Sequence, residues 1–297
     1  MVSLIFVVMR IVPGDAASLM LSETGGTPAD ITRIRTQLGL ERPLYEQYGL
    51  WLWSVAQGDL GNSYWTGRPV VAELVSRLPV SFELTLLAAI IACLIGIPTG
   101  VLSAIRQDSF LDYAGRLVAI SGLAVPGFWL GTLLVIFPAL WFGWAPPLSY
   151  ADFFADPLAN LQQFLLPSFA LGAFMAASMT RMTRSAVLEV LRQDYIRTAW
   201  AKGLKEQAIV VRHTLKNALI PLVTFSAIQI GHILGGTVVM ETIFSLPGVG
   251  RLTIQSILER DFPQLQANVI FLACIFVTVN LVVDLLYGWL DPRISYR

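Results

Sequence analysis

The chain has 297 residues, 20 Lys and Arg against 20 Asp and Glu, only 13% charged residues and 55% hydrophobic ones, with a mean hydropathy of +0.66. Soluble domains carry about 25% charged residues, so the composition excludes an ordinary soluble domain and indicates an integral membrane protein. The two cysteines, Cys93 and Cys274, are too few for a disulfide scaffold; each lies in an apolar stretch and reads as a buried packing residue.

The amino-terminal run Met1–Met9 is apolar, Arg10 follows, and Pro13-Gly14-Asp15 ends it. About twelve helical residues reach about 18 Å, short of a hydrocarbon core of about 30 Å. No basic n-region or A-x-A site marks a cleaved signal peptide. The run reads as the outer half of a first span whose start is missing, which predicts ten or more further residues upstream (about 20 in a full span).

Residues 13–82 read as an ordered helical region on the outer side. Thr27-Pro28-Ala29-Asp30 carries the marks of a helix start, with a threonine cap, proline at the first position and an acid in the first turn. Gly39 reads as its stop. Pro43–Gln57 is a second helix, rich in tyrosine and tryptophan, which favour a membrane interface. Pro69–Leu78 is a third short helix leading to the next span.

Five long apolar stretches follow: Leu84–Ile105, Leu117–Phe142, Leu161–Thr180, Asn217–Met240 and Leu265–Leu290. Each is long enough to cross a bilayer, and backbone groups in lipid must be satisfied internally, so all are read as helices. With the first, partial span the expected fold is an all-α membrane protein of six transmembrane helices. Pro98, Pro126, Pro138, Pro167 and Pro221 fall in or near the spans and predict kinks. Gly96/Gly100 and Gly231/Gly235 form G-x-x-x-G pairs suited to close helix contact.

Between the fourth and fifth spans the segment 181–216 holds eight basic side chains against three acidic ones, in a chain of zero net charge. Twelve basic residues fall in the short loops on this side and two, Arg251 and Arg260, on the other. The basic-rich side is therefore cytoplasmic, with both termini on it. Within the segment, Asp194–Leu204 reads as a short helix. Asp194 is placed to cap it, Tyr195, Ile196, Ala199 and Trp200 form an apolar face, and Gly203 permits a left-handed stop. A capped, glycine-stopped helix with an exposed tryptophan is more than a topology signal and reads as a docking surface for a cytosolic partner.

The chain carries no chemistry of its own. It has no Gly-Lys pair and hence no Walker-type phosphate loop, and no H-E-x-x-H, C-x-x-C or G-x-S-x-G. No metal site or cofactor is expected, and energy for active transport must come from another subunit. His232 and Gln229, on the fifth span, are candidate pathway-lining residues. Asp284, near the inner end of the sixth, is expected to pair with a basic side chain.

The order of V-P-G-D (Val12–Asp15), L-G-L-E-R-P-L (Leu38–Leu44), Q-G-D-L-G-N-S (Gln57–Ser63), R-L-P-V-S-F-E-L-T (Arg77–Thr85), D-Y-I-R-T-A-W-A-K-G-L (Asp194–Leu204), N-A-L-I-P-L (Asn217–Leu222), E-T-I-F-S-L-P-G-V-G-R-L (Glu241–Leu252) and D-P-R-I (Asp291–Ile294) resembles the first of the two permease subunits of ABC importers of the dipeptide, oligopeptide and nickel class. The resemblance runs almost end to end. The family's EAA signature falls on Arg197-Thr198-Ala199 with its glycine at Gly203. Arginine stands where the generic form has glutamate, and the stretch to Pro221 is longer than usual.

The resemblance implies a single permease domain with a type I importer fold, in a bacterial inner membrane. It implies that Asp194, Tyr195, Arg197, Thr198, Ala199, Trp200, Lys202, Gly203 and Leu204 form a coupling helix that enters a groove on an ATPase. Glu241, Pro247 and Gly248 are implied as an external gate. Implied partners are a second homologous permease, two ATP-binding cassette subunits and an extracytoplasmic substrate-binding protein; no nucleic acid is implied. Peptide is the implied cargo, with a nickel chelate, glutathione or another small solute as alternatives. A stand-alone carrier or channel is the rival from another class.

Overall fold

The computed structural model describes residues 2–11, 14–24, 27–147 and 149–290, with the side chains of 2, 21–24, 220, 232, 234–236, 283, 284 and 286–290 outside that description. The quoted Val12-Pro13 and Asp291–Ile294 therefore lie outside the described residues. Among the described residues the regular elements are all helices, with one isolated bridge between Asn62 and Pro69. It forms two compact units, Met1–Ser81 with Pro247–Cys274, and Phe82–Leu246 with Ile275–Arg297.

In the first unit, α1 (Val2–Ile11) and α2 (Ala16–Thr24) are joined by Gly14-Asp15. Asp15 caps α2 by accepting from the Ser18 amide at 2.9 Å, while its own amide donates to the Ser18 hydroxyl at 3.1 Å. Helix α3 is Pro28–Gln37, where the Asp30 carboxylate accepts from the Thr27 amide and hydroxyl at 3.1 and 2.7 Å, so the start expected at Thr27-Pro28 is borne out. Gly39, at φ +67°, ends it as expected. Helix α4 is Leu44–Ala56.

Helix α5 runs unbroken over Val70–Ile105, so the expected separate short helix Pro69–Leu78 is corrected: it is the start of the span itself. Pro79 does not stop it: the helix continues through Ile105. Val70 and Leu74 of α5 pack on Val249 of α12 (Val249–Leu258) and Ala267 of α13 (Phe262–Leu290) to form this unit's core. Helix α12 ends with Arg260 at φ +54°, a left-handed position usually given to glycine. The turn delivers Asp261, whose carboxylate accepts from the Ser63 hydroxyl at 2.5 Å and the Tyr64 amide at 3.2 Å, pinning the loop before α5.

The second unit is built around α8 (Pro157–Leu191), which packs against α6 (Phe110–Ala124), α7 (Gly127–Phe142) and α11 (Lys216–Ile243). The expected single span Leu117–Phe142, kinked at its prolines, is corrected. It is two helices bent by 94° at Val125-Pro126. Proline lacks the amide that would continue the helix and pushes its predecessor out of the α region, and Val125 sits at φ −79°, ψ 120°.

Helix α5 meets α8 at glycines. A methyl at Gly96 would lie 2.6 Å from Met179 Cβ, and one at Gly100 2.5 Å from Thr183 Cβ, so only glycine allows this approach and the first G-x-x-x-G expectation holds. At Gly231 a methyl would lie 3.3 Å from Val279 Cγ1, closer than an ordinary contact but within reach of a small shift of that side chain; the Gly235 half of that pair lies outside the described side chains.

Three described helices are long and apolar enough to cross a membrane, Val70–Ile105, Pro157–Leu191 and Phe262–Val282, and a fourth if the bent α6–α7 pair is one span. Helix α11 has 28 residues, with Pro221–Gly231 as its described apolar stretch. Large apolar side chains on these helices face outward: Leu94, Leu140 and Trp141 are each at least 70% exposed, which suits contact with lipid. The cysteines depart from expectation. Cys93 is half-buried and Cys274 exposed, both free thiols.

Candidate functional site

Helix α8 stops at Arg192, and after one extended residue, Gln193, the eight-residue helix α9 (Asp194–Ala201) begins. Gln193 occupies the cap position without a side-chain bond, so the expected Asp194 cap is corrected. Asp194 is instead the first helical residue. It is 94% exposed, 3.3 Å from Arg197, and contributes only its charge at the helix's positive end.

The apolar residues of α9 divide between two faces. Ile196 and Ala199 turn inward and pack with Ile209, Val190 and Leu191. Tyr195, Trp200 and Leu204 remain 45%, 49% and 39% exposed. Single-face geometry explains the split: positions 196 and 199 are three apart and share a side, while 195 and 200 flank it. The expectation that Ala199 belongs to an outward docking face is corrected accordingly. Arg192, Arg197, Lys202 and Lys205 are exposed around the helix.

Gly203 behaves as expected. Its φ is +75°, the Leu204 amide donates to the Ala199 carbonyl at 3.3 Å and the Gly203 amide to the Trp200 carbonyl at 2.9 Å. These are the two bonds of a Schellman stop. The chain then enters α10 (Glu206–Ala208), a seven-residue π-helical stretch Ile209–Leu215, and α11 without a break. The Asn217 amide at the base of α11 donates to the Tyr195 hydroxyl at 2.9 Å. Motion of α9 thus has two routes into the helices, the Ile196/Ala199/Ile209 cluster and the Tyr195–Asn217 bond.

A buried ion cluster close by in the same unit joins residues that are distant in sequence. Asp112, fully buried on α6, accepts from Arg184 of α8 through Nε at 2.9 Å and Nη2 at 3.0 Å, from both Arg116 donors, from the Ser103 hydroxyl of α5 and from the Asp108 amide. One carboxylate therefore ties together α5, α6 and α8, just before α8 leads into α9. Its local trace in the sequence is Ser109-x-x-Asp112, a helix-start pattern, with Arg116 one turn on. The Arg184 partner lies 72 residues away.

Gln229 of α11 lines a cavity of about 310 Å³ whose other walls, including Phe128, Phe174, Met175 and Met240, are apolar. The His232 and Asp284 side chains lie outside the described residues. Glu241 is fully buried in the last turn of α11, and its carbonyl accepts from the Leu246 amide at 2.8 Å across Ser245, which holds φ +56°. Pro247 and Gly248 precede α12, with Gly248 extended at its cap position. Among the described residues no three His, Cys, Asp or Glu side chains gather to hold a metal.

The family model for the inner membrane component of binding-protein-dependent transport systems matches residues 96–296, and the model for the N-terminal part of such membrane components matches residues 1–85. A dipeptide transport system permease protein of Alkalihalophilus pseudofirmus is 39% identical, over 98% of this chain and 93% of its own length. A glutathione transport system permease protein of Escherichia coli is 39% identical, over 99% of this chain and 93% of its own. Among solved structures, the inward-facing MetNI methionine ABC transporter superposes with a TM-score of 0.62 over 75% of this chain and 98% of that one, at 18% identity, which speaks to fold alone. The type I importer permease fold expected from the sequence is borne out. The chain belongs to the family of inner membrane components of binding-protein-dependent transport systems, the permeases of ABC importers.

Proposed function

We propose that this subunit imports di- and oligopeptides, pairing with a second homologous permease, two ATP-binding cassette subunits and a substrate-binding protein. Helix α9 enters a groove on one ATPase, and closure of the ATPases moves α9 and switches the pathway between inward and outward access. The observation that carries this reading is α9 itself: an eight-residue helix with a glycine stop, an exposed Tyr195/Trp200/Leu204 surface and a basic surround, anchored from behind by Ile196 and Ala199. The basic segment faces the cytoplasm on this reading, as the charge bias of the loops requires. Gln229 and His232 line the pathway, and Glu241, Pro247 and Gly248 form the outer gate.

Peptide is the cargo supported by the dipeptide permease among the relatives; glutathione, itself a short peptide, falls in the same class. Proteoliposomes holding both permeases and the ATPases, supplied with binding protein, should take up a dipeptide only with ATP inside the cytoplasmic face. Uptake without ATP would make the chain a secondary carrier or channel. In right-side-out cells, cysteine at Ser149 should react with a membrane-impermeant thiol reagent and cysteine at Gln193 should not; the reverse pattern would invert the orientation.

A further inference from the structure

Arg10 is a half-buried guanidinium without a carboxylate partner among the described residues. Its Nε donates to Gln47 Oε1 at 3.0 Å, a terminal nitrogen donates to the Phe6 carbonyl at 3.2 Å, and its carbon lies 3.5 Å from the Phe6 ring centroid. All of these partners are neutral. Two carboxylates of the same unit are committed elsewhere. Asp15, which lines an adjoining cavity with Arg10, is held by Arg35 at 2.6 Å, and Asp261 by Ser63 and Tyr64. A partly desolvated cation ordinarily has a counter-ion, so this one is placed to receive an anion.

Arg10 opens on a cavity of about 380 Å³ that lies wholly within the first unit. The volume is that of a small-ligand site. Arg42 adds a second guanidinium to its wall, again with no ion pair among the described residues. Gln266 is 4% exposed, lines the same cavity, and its Nε2 has no hydrogen-bond partner. A buried amide donor left unpaired is costly, and it is an independent sign of a ligand. Asp59, also in the wall, spends one oxygen on the Gly61 amide at 2.9 Å and keeps the other. Burial pushes the Tyr64 hydroxyl up to about 12, so it remains a neutral group in the wall at physiological pH.

We propose that this cavity binds a small zwitterion through its carboxylate: Arg10 and Arg42 take the carboxylate, Gln266 donates to a ligand carbonyl and Asp59 receives the ammonium group. A short peptide is the ligand that fits both this chemistry and the import reading, on which the choice of peptide rests. The site lies wholly within the first unit, whereas Gln229 lines a cavity of the second.

The test uses the intact complex of permeases and ATPases in nanodiscs, without binding protein. Alanyl-alanine and its C-terminal amide are titrated by calorimetry. Alanyl-alanine should bind, and the amide, lacking the carboxylate, at least about tenfold more weakly. Arg42→Gln and Gln266→Leu should each weaken the dipeptide about fivefold or more, with Arg42→Lys partly restoring it. Arg42 is exposed, so its variants leave folding intact where Arg10→Gln need not. The site is wrong if the dipeptide does not bind, if its amide binds equally well, or if both variants bind like wild type. Uptake by the complete system is measured alongside. Import of alanyl-alanine without binding here removes the site and keeps the importer; binding here without peptide import removes the peptide-import reading and keeps the site.

Discussion

The Asn217 side-chain amide donates to the Tyr195 hydroxyl over 2.9 Å, joining the first turn of α9 to the base of α11. The same amide reaches the His213 carbonyl at 2.9 Å, so the π-helical stretch between the two helices is held at this point as well. A partner that grips the outer face of α9 would therefore pull on α11, the helix that carries Gln229 and Glu241. Tyr195→Phe removes the bond and little else. A net hydrogen bond is worth about 0.5–1.5 kcal/mol, so peptide transported per ATP hydrolysed should fall about 2- to 10-fold while ATPase binding is retained. Flux and hydrolysis measured together in proteoliposomes check this; an unchanged ratio would remove the bond from the coupling route.

Gly203→Val tests the stop. A Cβ at Gly203 meets open space, with nothing within 4 Å, so the entire cost lies in the φ of +75°. A residue with a Cβ pays about 1–2 kcal/mol there, more if β-branched. The variant should reach the membrane, lose co-purifying ATPase and lose uptake, while Gly203→Asn, which tolerates the left-handed region, should keep most of both. Equal behaviour of the two variants would show that the turn's conformation is not what matters.

Ala199→Glu separates anchoring from docking. Ala199 is 7% exposed against Ile209 of the same chain, so glutamate puts an unpaired charge into an intramolecular contact. The loss should be one of stability, on the order of 2–4 kcal/mol. Trp200→Ala, on the exposed side, should leave thermal unfolding within about 0.5 kcal/mol of wild type and still cost ATPase binding. Thermal melting of each purified subunit, beside pull-down of ATPase, reads the two effects apart.

Acid sensitivity of the first unit follows from Asp15. Burial alone would raise this carboxyl, but the Ser18 amide, the Arg35 guanidinium and the Ser18 hydroxyl outweigh it and hold it below its ordinary value of 3.8. A depressed folded value stabilises above the unfolded pKa and is lost as pH falls through the folded one, so the contribution should fade below about pH 4. Asp15→Asn should lower the melting temperature at pH 7 and flatten its further fall below pH 4. A variant curve parallel to wild type would assign the acid loss to other groups.

Much of this was readable locally. Thr27-Pro28, Gly39 and Gly203 act within one turn of themselves, and the structure places each as the sequence implied. The apolar stretches announce helices because lipid leaves the backbone no alternative. Failures came where geometry depends on a neighbour. Pro126 predicts a kink, yet the chain turns by 94° at Val125-Pro126. Asp194 yields the cap position because Gln193, after the end of α8, is the extended residue. Ala199 faces inward because Ile209 packs behind it, and the Asp112–Arg184 pair spans 72 residues with no local mark of its partner. The cavity around Arg10 likewise draws its walls from α1, α4, the loop before α5 and α13, a meeting no spacing rule reveals.

The claim on which the rest depends is that the outer face of α9 lies in an ATPase groove, and a photo-crosslink tests it most directly. Thr198 is exposed on α9 and is not part of the Ile196/Ala199/Ile209 cluster. A photoreactive residue in its place, in the assembled complex within intact membranes, should cross-link to the ATPase subunit, and ATP trapping should change the yield. Recovery of cross-links only to lipid or to the permeases, with ATPase present and bound, would contradict the account.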